Sequence, residues 1–180
     1  MAGEIILGSQ VGVGGGAQAI RPTARLETPL SDEEKAFYAG IVGEPQAPPA
    51  REDNTPVGLV VDNDPRLRGI MKESLVGIGL RVFEAKDGAT ALKEYASRMT
   101  DLILLDLILP VMDGYKLIRG IRSYFGDARA VVCCVGDTQD DRDEVAALNL
   151  GADNFMMKPY TLDRIRAHVR SVFRAKKSGL

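Results

Sequence analysis

The chain has 180 residues, 45% of them hydrophobic and 27% charged, which suits one globular core with an appendage and excludes a wholly disordered, collagenous or coiled-coil protein. Its 23 Lys and Arg against 25 Asp and Glu leave a net charge of −2, too little to attract nucleic acid or an anionic membrane except through a local patch. The apolar runs are strand-sized, far below the roughly 20 residues of a membrane span, and the start MAGEIILGSQ has neither a basic stretch nor a long apolar one, so a soluble, cytoplasmic protein with no membrane span is expected.

Residues 1–56 read as an arm. They hold 8 Gly and 6 Pro, with 4 basic against 8 acidic residues, whereas residues 57–180 carry 19 basic and 17 acidic. Glu4–Leu7 is a candidate short strand. The run GVGGGA at 12–17 formally satisfies G-x-G-x-x-A, but no βαβ unit surrounds it and Pro22 cuts the helix it should open, so flexible arm is the better reading. Residues 31–42 predict a short helix, with Ser31 as N-cap, Glu34 as its capping-box partner and Gly43 as the stop. Ala36, Phe37, Ala39, Gly40 and Ile41 give it a small apolar patch that could fold onto the rest of the chain or onto a partner. Clustered prolines make 43–56 a linker.

From Val57 onward, apolar runs alternate with stretches of helical period. The runs are VGLVV, LRVFEA, LILLD, AVVCCV and NFMM. Between them lie five helical stripes: Leu67, Ile70, Met71, Leu75 and Ile78; Ala89, Leu92, Ala96 and Met99; Leu117, Ile118, Ile121 and Phe125; Val145 and Leu148; and Leu162, Ile165, Val169, Val172 and Phe173. Strands apolar on both faces, each followed by a helix, imply a parallel sheet covered on both sides. Residues 57–175 are too few for a closed eight-unit barrel, so an open, doubly wound α/β sheet of five parallel strands is predicted, with its ligand site at the carboxyl ends of the strands. Residues 176–180 are left as a basic tail. Cys133 and Cys134 are neighbours on one strand and point to opposite faces, a poor disulfide geometry that fits a reducing compartment and a packing role.

The strand ends carry the chemistry. The first closes on Asp62, Asn63 and Asp64, the third on Asp106, the fourth at Gly136 before Asp137, and the fifth runs into Lys158-Pro159. Carboxylates gathered at one rim repel unless a cation compensates, and hard oxygen ligands suit Mg²⁺ better than zinc. A lysine across the crevice would complete the neutralisation and bind a phosphoryl group. Taken singly, Asp106 could be a helix cap, Lys158 a solvated loop residue, and Asp64 the cap of the first helix ahead of Pro65. Asp113-Gly114 is explained by capping and turn formation alone.

With these residues in order, the sequence resembles the receiver domains of two-component response regulators over Val57 to about Ala175. Asp62-Asn63-Asp64, the segment LLDLILPVMDG around Asp106, Gly151-Ala152, Phe155 and Lys158-Pro159-Tyr160 carry the resemblance, with 44 residues from Asp62 to Asp106 and 52 from Asp106 to Lys158. It implies a flavodoxin-like strand order 2-1-3-4-5 and Asp106 as phosphoacceptor from a histidine kinase or phosphotransfer protein in a phosphorelay. It also implies that Lys158 stabilises the phosphoryl group, and that Mg²⁺ is held by Asp62, Asn63, Asp106 and the Ile108 carbonyl, with Asp64 as a substitute. Ile108 would shield the acyl phosphate and slow its hydrolysis.

Two positions depart from the family pattern. Asn63 offers an amide dipole where a second acid is usual, which should weaken divalent binding by about one to a few kcal/mol. Gly136 stands where the family carries Ser or Thr, with Thr138 two residues late, so the coupling of phosphorylation to Phe155 is in question. A phosphate-independent pseudo-receiver, an interaction or scaffold module, is therefore the alternative, and a hydrolase using the same acids lacks a carboxylate placed as general acid.

Arg164, Arg166, Arg170 and Arg174 lie off the apolar stripe of the fifth helix and read as an exposed basic face, either solvated or a partner surface. The acidic run at 137–144 suits the first turn of the fourth helix, and His168 reads as a half-buried packing residue. The expectation is a single-domain response regulator that is not a turnover enzyme. It would bind an unknown downstream protein through the fourth helix, fifth strand and fifth helix, with a homodimer as one candidate assembly and without a DNA-binding domain.

Overall fold

The structure is a computed structural model that describes residues 29–46, 53–98, 100–136 and 141–177. The candidate strand at 4–7, the glycine run at 12–17, Met99, Asp137 and Thr138 lie outside the described residues. In chain order the elements are α1 (Asp32–Val42), β1 (Val57–Val61), α2 (Pro65–Val76), β2 (Arg81–Ala85), α3 (Gly88–Arg98), β3 (Leu102–Asp106), α4 (Gly114–Arg119) continuing into a π-helical turn (Gly120–Tyr124), β4 (Val131–Gly136), α5 (Asp141–Asn149), β5 (Asn154–Met157) and α6 (Leu162–Lys177). The fourth and fifth predicted helices are thus α5 and α6. The helix α6 runs through Lys177, so the expected tail begins inside it.

All five strands are parallel, in the order β2-β1-β3-β4-β5. Strands β1, β3 and β4 are buried along their whole length, as unbroken apolar runs require, while β2 lies at the edge and exposes Arg81 and Glu84. Alternate side chains feed two cores. Leu59, Val61, Ile103, Leu105 and Cys134 pack with α3 and α4 on one face; Val60, Leu102, Leu104 and Cys133 pack with α2 and α6 on the other. The adjacent cysteines therefore belong to opposite cores and both are free thiols.

Helix α1 begins with both halves of a capping box between Ser31 and Glu34 and lies against α3 and the π-helical turn. Tyr38 is 2% exposed and donates its hydroxyl to the Lys116 carbonyl at 2.8 Å. A Cβ on Gly120 would meet the Tyr38 ring at 2.9 Å, so the missing side chain makes the seat for that ring. The Arg119 guanidinium forks onto the two Glu34 oxygens at 2.7 and 3.2 Å, and the Tyr124 hydroxyl donates to the Gly43 carbonyl.

Two expectations about helices need correction. The third predicted stripe is not one α-helix, since it widens into the π-helical turn at Gly120. Val145 is 53% exposed; Ala147, with Leu148 partly buried, takes the inward position of α5.

Candidate functional site

The parallel register brings the strand ends level, with Val61 beside Leu105 and Asp106 beside Val135. Asp62, one residue past β1, is fully buried. Its Oδ1 accepts the Asp64 N–H at 2.8 Å, while Oδ2 is sealed from solvent with no hydrogen-bond partner. Burial pushes the Asp62 carboxyl above its usual range. Asp106 is 5% exposed; its Oδ1 accepts the Ile108 N–H at 3.1 Å and its Oδ2 accepts Lys158 Nζ at 2.7 Å. The same ammonium lies 3.9 Å from Asp62 Oδ2. The Lys158 N–H donates to the Gly136 carbonyl, extending the β4–β5 pairing to the base of this side chain.

Asp62, Asp106 and Lys158, distant in sequence, thus form one cluster. Asn63 sits exposed at its rim. Asp64 is the N-cap of α2: its Oδ1 accepts the Arg66 N–H at 2.8 Å, Oδ2 faces the Arg66 guanidinium, and the backbone bond holds its pKa down. Asp113 caps α4 through the Lys116 N–H. Ile108 and Val111, in the β3–α4 loop, expose their apolar side chains by 74% and 84%.

Among the described residues, no three His, Cys, Asp or Glu side chains gather as a metal-binding group. The hard donors available are the carboxylates of Asp62 and Asp106 with the neutral oxygens of Asn63 and the Ile108 carbonyl. The unpartnered Oδ2 of Asp62 is an oxygen that a divalent cation would satisfy, so the set fits Mg²⁺ with fewer charges than an all-acid site.

Gly136 closes β4 in a fully buried position, and Phe155 packs half-buried against the first core. In α5, Asp141, Asp143 and Glu144 occupy the first turn, and Asp143 accepts the Tyr115 hydroxyl at 2.8 Å. The basic face of α6 is smaller than expected. Arg164, Arg170 and Arg174 are exposed, but Arg166 turns inward to fill the space where a Cβ on Gly77 would stand, 2.6 Å from its guanidinium, at the carboxyl end of α2. That end carries partial negative charge, which favours a guanidinium there. His168 is half-buried.

Arg68 and Arg122, near or behind the site, escape sequence reasoning, and the motif that contains Tyr160 gives no sign of its burial. Arg68 donates to the Asp62 carbonyl at 2.8 Å and pairs with Glu84. The Tyr160 hydroxyl is buried without a partner. Arg122, deeply buried, donates to the Gly151 and Asp127 carbonyls and to Asp153 Oδ2, each at 2.8 Å. Helical spacing from the cap could have flagged Arg68; nothing local marks Arg122.

The comparisons with known proteins meet this geometry. The sequence pattern of the response regulator receiver domain matches residues 59–170. The chain is 35% identical over 116 residues to the KDP operon transcriptional regulatory protein KdpE of Escherichia coli, covering 64% of this chain and 50% of that one. It is 36% identical over 119 residues to the response regulator MprA of Mycobacterium ulcerans, 66% of this chain and 50% of that one. It therefore spans about half the length of these curated relatives. Among solved structures, the chemotaxis response regulator CheY4 of Vibrio cholerae superposes with a TM-score of 0.62 at 21% identity, over 66% of this chain and 99% of that one. A two-component response regulator from Clostridium difficile superposes with a TM-score of 0.61 at 27% identity, over 66% and 96%. A doubly wound sheet with two acids and a lysine at its carboxyl edge defines the class. The chain belongs to the response regulator receiver family of two-component systems. No helix among the described residues is long and apolar enough to cross a membrane.

Proposed function

We propose that the chain accepts a phosphoryl group on Asp106 from a histidine kinase or phosphotransfer protein and signals by protein–protein contact, without being a turnover enzyme. The observation that carries this is the Asp106 carboxylate, recessed at a strand end and fixed by the Ile108 N–H on one oxygen and by Lys158 on the other. An Asp106 oxygen attacks phosphorus, the P–N bond to the donor imidazole breaks, and an acyl phosphate remains. Lys158, already within reach of both acids, follows the incoming oxygens and offsets their charge. Asp62, Asp106, Asn63 and the Ile108 carbonyl would hold Mg²⁺, which when bound neutralises further charge on the phosphoryl group. The burial of Asp62 keeps water off the second carboxylate.

Phosphoramidate with Mg²⁺ followed by intact-mass measurement tests the reading. The full chain should gain one phosphoryl mass, Asp106→Ala none, and Lys158→Ala a smaller yield; an unmodified wild-type chain would refute it. The rival reading, a module that works without phosphate, rests on the exposed Asn63, which supplies a dipole in place of a charge at the rim. Absence of the adduct at millimolar Mg²⁺ would favour it.

A further inference from the structure

The carboxyl end of β4 is not an open position awaiting a side chain. A Cβ built on Gly136 would lie 2.6 Å from Phe155 Cζ and 3.3 and 3.5 Å from two further ring carbons. The ring therefore stands directly over the Gly136 backbone, in the volume that any larger residue would need. Two features hold it there. Its strand is tied to β4 through the pairing of Cys134 with Phe155 and of Gly136 with Met157, and the Lys158 N–H donates to the Gly136 carbonyl. The half-buried ring also packs against the first core. Between Asp106 and this ring, Gly136 provides no side chain through which a change of charge on the carboxylate could push or pull.

We propose that Phe155 is a permanent plug seated on Gly136, in the same place whether or not Asp106 carries a phosphoryl group. The α5–β5 face is then presented to partners in one arrangement, and the modification is sensed only at the mouth itself. This rests on the phosphoacceptor reading only for the modified state; the seating of the ring is independent of it.

Packing close to the limit means the plug and the glycine must be thermodynamically coupled. Gly136→Ser should lower the melting temperature of the full chain, and the same substitution in a Phe155→Ala background should cost markedly less. Equal costs in the two backgrounds would overturn the seating. Should Gly136→Ser fail to fold, Gly136→Ala carries the same comparison with a single methyl group.

Nuclear magnetic resonance of the full chain with labelled phenylalanine rings, with and without Mg²⁺ and beryllofluoride as phosphoryl mimic, tests the second half. The Ile108 and Lys158 amides should shift while the Phe155 ring and the α5 amides stay in place. Movement of the ring resonance would overturn the proposal. No shift at Ile108 or Lys158 would instead count against the phosphoacceptor reading, leaving the double-substitution comparison to decide the plug.

Discussion

Asp62 sets a buried charge against the stability of the fold. A fully buried carboxylate with one oxygen lacking a hydrogen bond is costly, and the Lys158 ammonium 3.9 Å away offsets part of that cost. Its pKa is raised by burial, so the folded state binds the proton more tightly than the unfolded chain. Stability is then highest below the unfolded value of 3.8 and falls as pH rises through the folded value. Without divalent metal, Asp62→Asn should therefore raise the melting temperature at neutral pH, with a gain on the order of 1 kcal/mol. The gap to wild type should close toward pH 4, and denaturant melts across that range check both. The substitution should also weaken Mg²⁺ binding, which sets stability against function at one atom. Asp62, Asp106 and Lys158 were readable in sequence because strand ends in a parallel sheet converge, whatever the loops between them do. Arg166 was not readable: its helical position is polar, and its inward turn depends on the room left by Gly77 and on the carboxyl end of α2, both on another element.

At the scale of elements, α1 is the clearest product of local signals acting with distant ones. Its capping box and glycine stop lie within a dozen residues, which is why the helix could be predicted. Its seat could not be, because it depends on Gly120 and Lys116, across the whole of the sheet's first half. The third predicted helix has the same limit: periodicity placed Leu117, Ile118 and Ile121 correctly in the core but gave no sign of the widened turn beside Tyr38. Tyr38→Ala should destabilise the full chain by about 3 kcal/mol, as for other buried aromatic truncations, and urea melts would show it. Glu34 is held down to about 2, chiefly by Arg119. Its contribution is complete above its unfolded value of 4.5 and is lost as pH falls toward about 2. Acid should thus weaken the seating of α1 over that window without detaching it, since Tyr38 stays buried, and Glu34→Gln should reduce the pH dependence of the Tyr38 signal.

For the molecule as a whole, Arg122 joins parts that no linear reading connects. From the π-helical turn it reaches the Gly151 carbonyl, the Asp127 carbonyl and Asp153. Asp153 Oδ2 also accepts the Val132 N–H, and Asp127 accepts the Tyr95 hydroxyl at 2.5 Å. One guanidinium therefore ties the turn after α4 to the strand and loop that lead into β5. Arg122→Met keeps most of the apolar stem but takes a donor from two carbonyls and from Asp153, which keeps the Val132 N–H, so a loss of roughly 1–3 kcal/mol is expected, measurable by thermal melts. Retained melting behaviour would show that solvent replaces those bonds. The fold class itself needed none of this, since five buried apolar runs and their helices define it without any particular polar contact.

The attachment of α1 by 14 residues between Val42 and Val57 has a consequence for binding equilibria as well. A ligand on so short a leash faces its own seat at an effective concentration on the order of millimolar. A free helix offered by another protein would have to outbind that local excess before it could displace Tyr38 from Gly120, which makes the face under α1 selective against weak competitors.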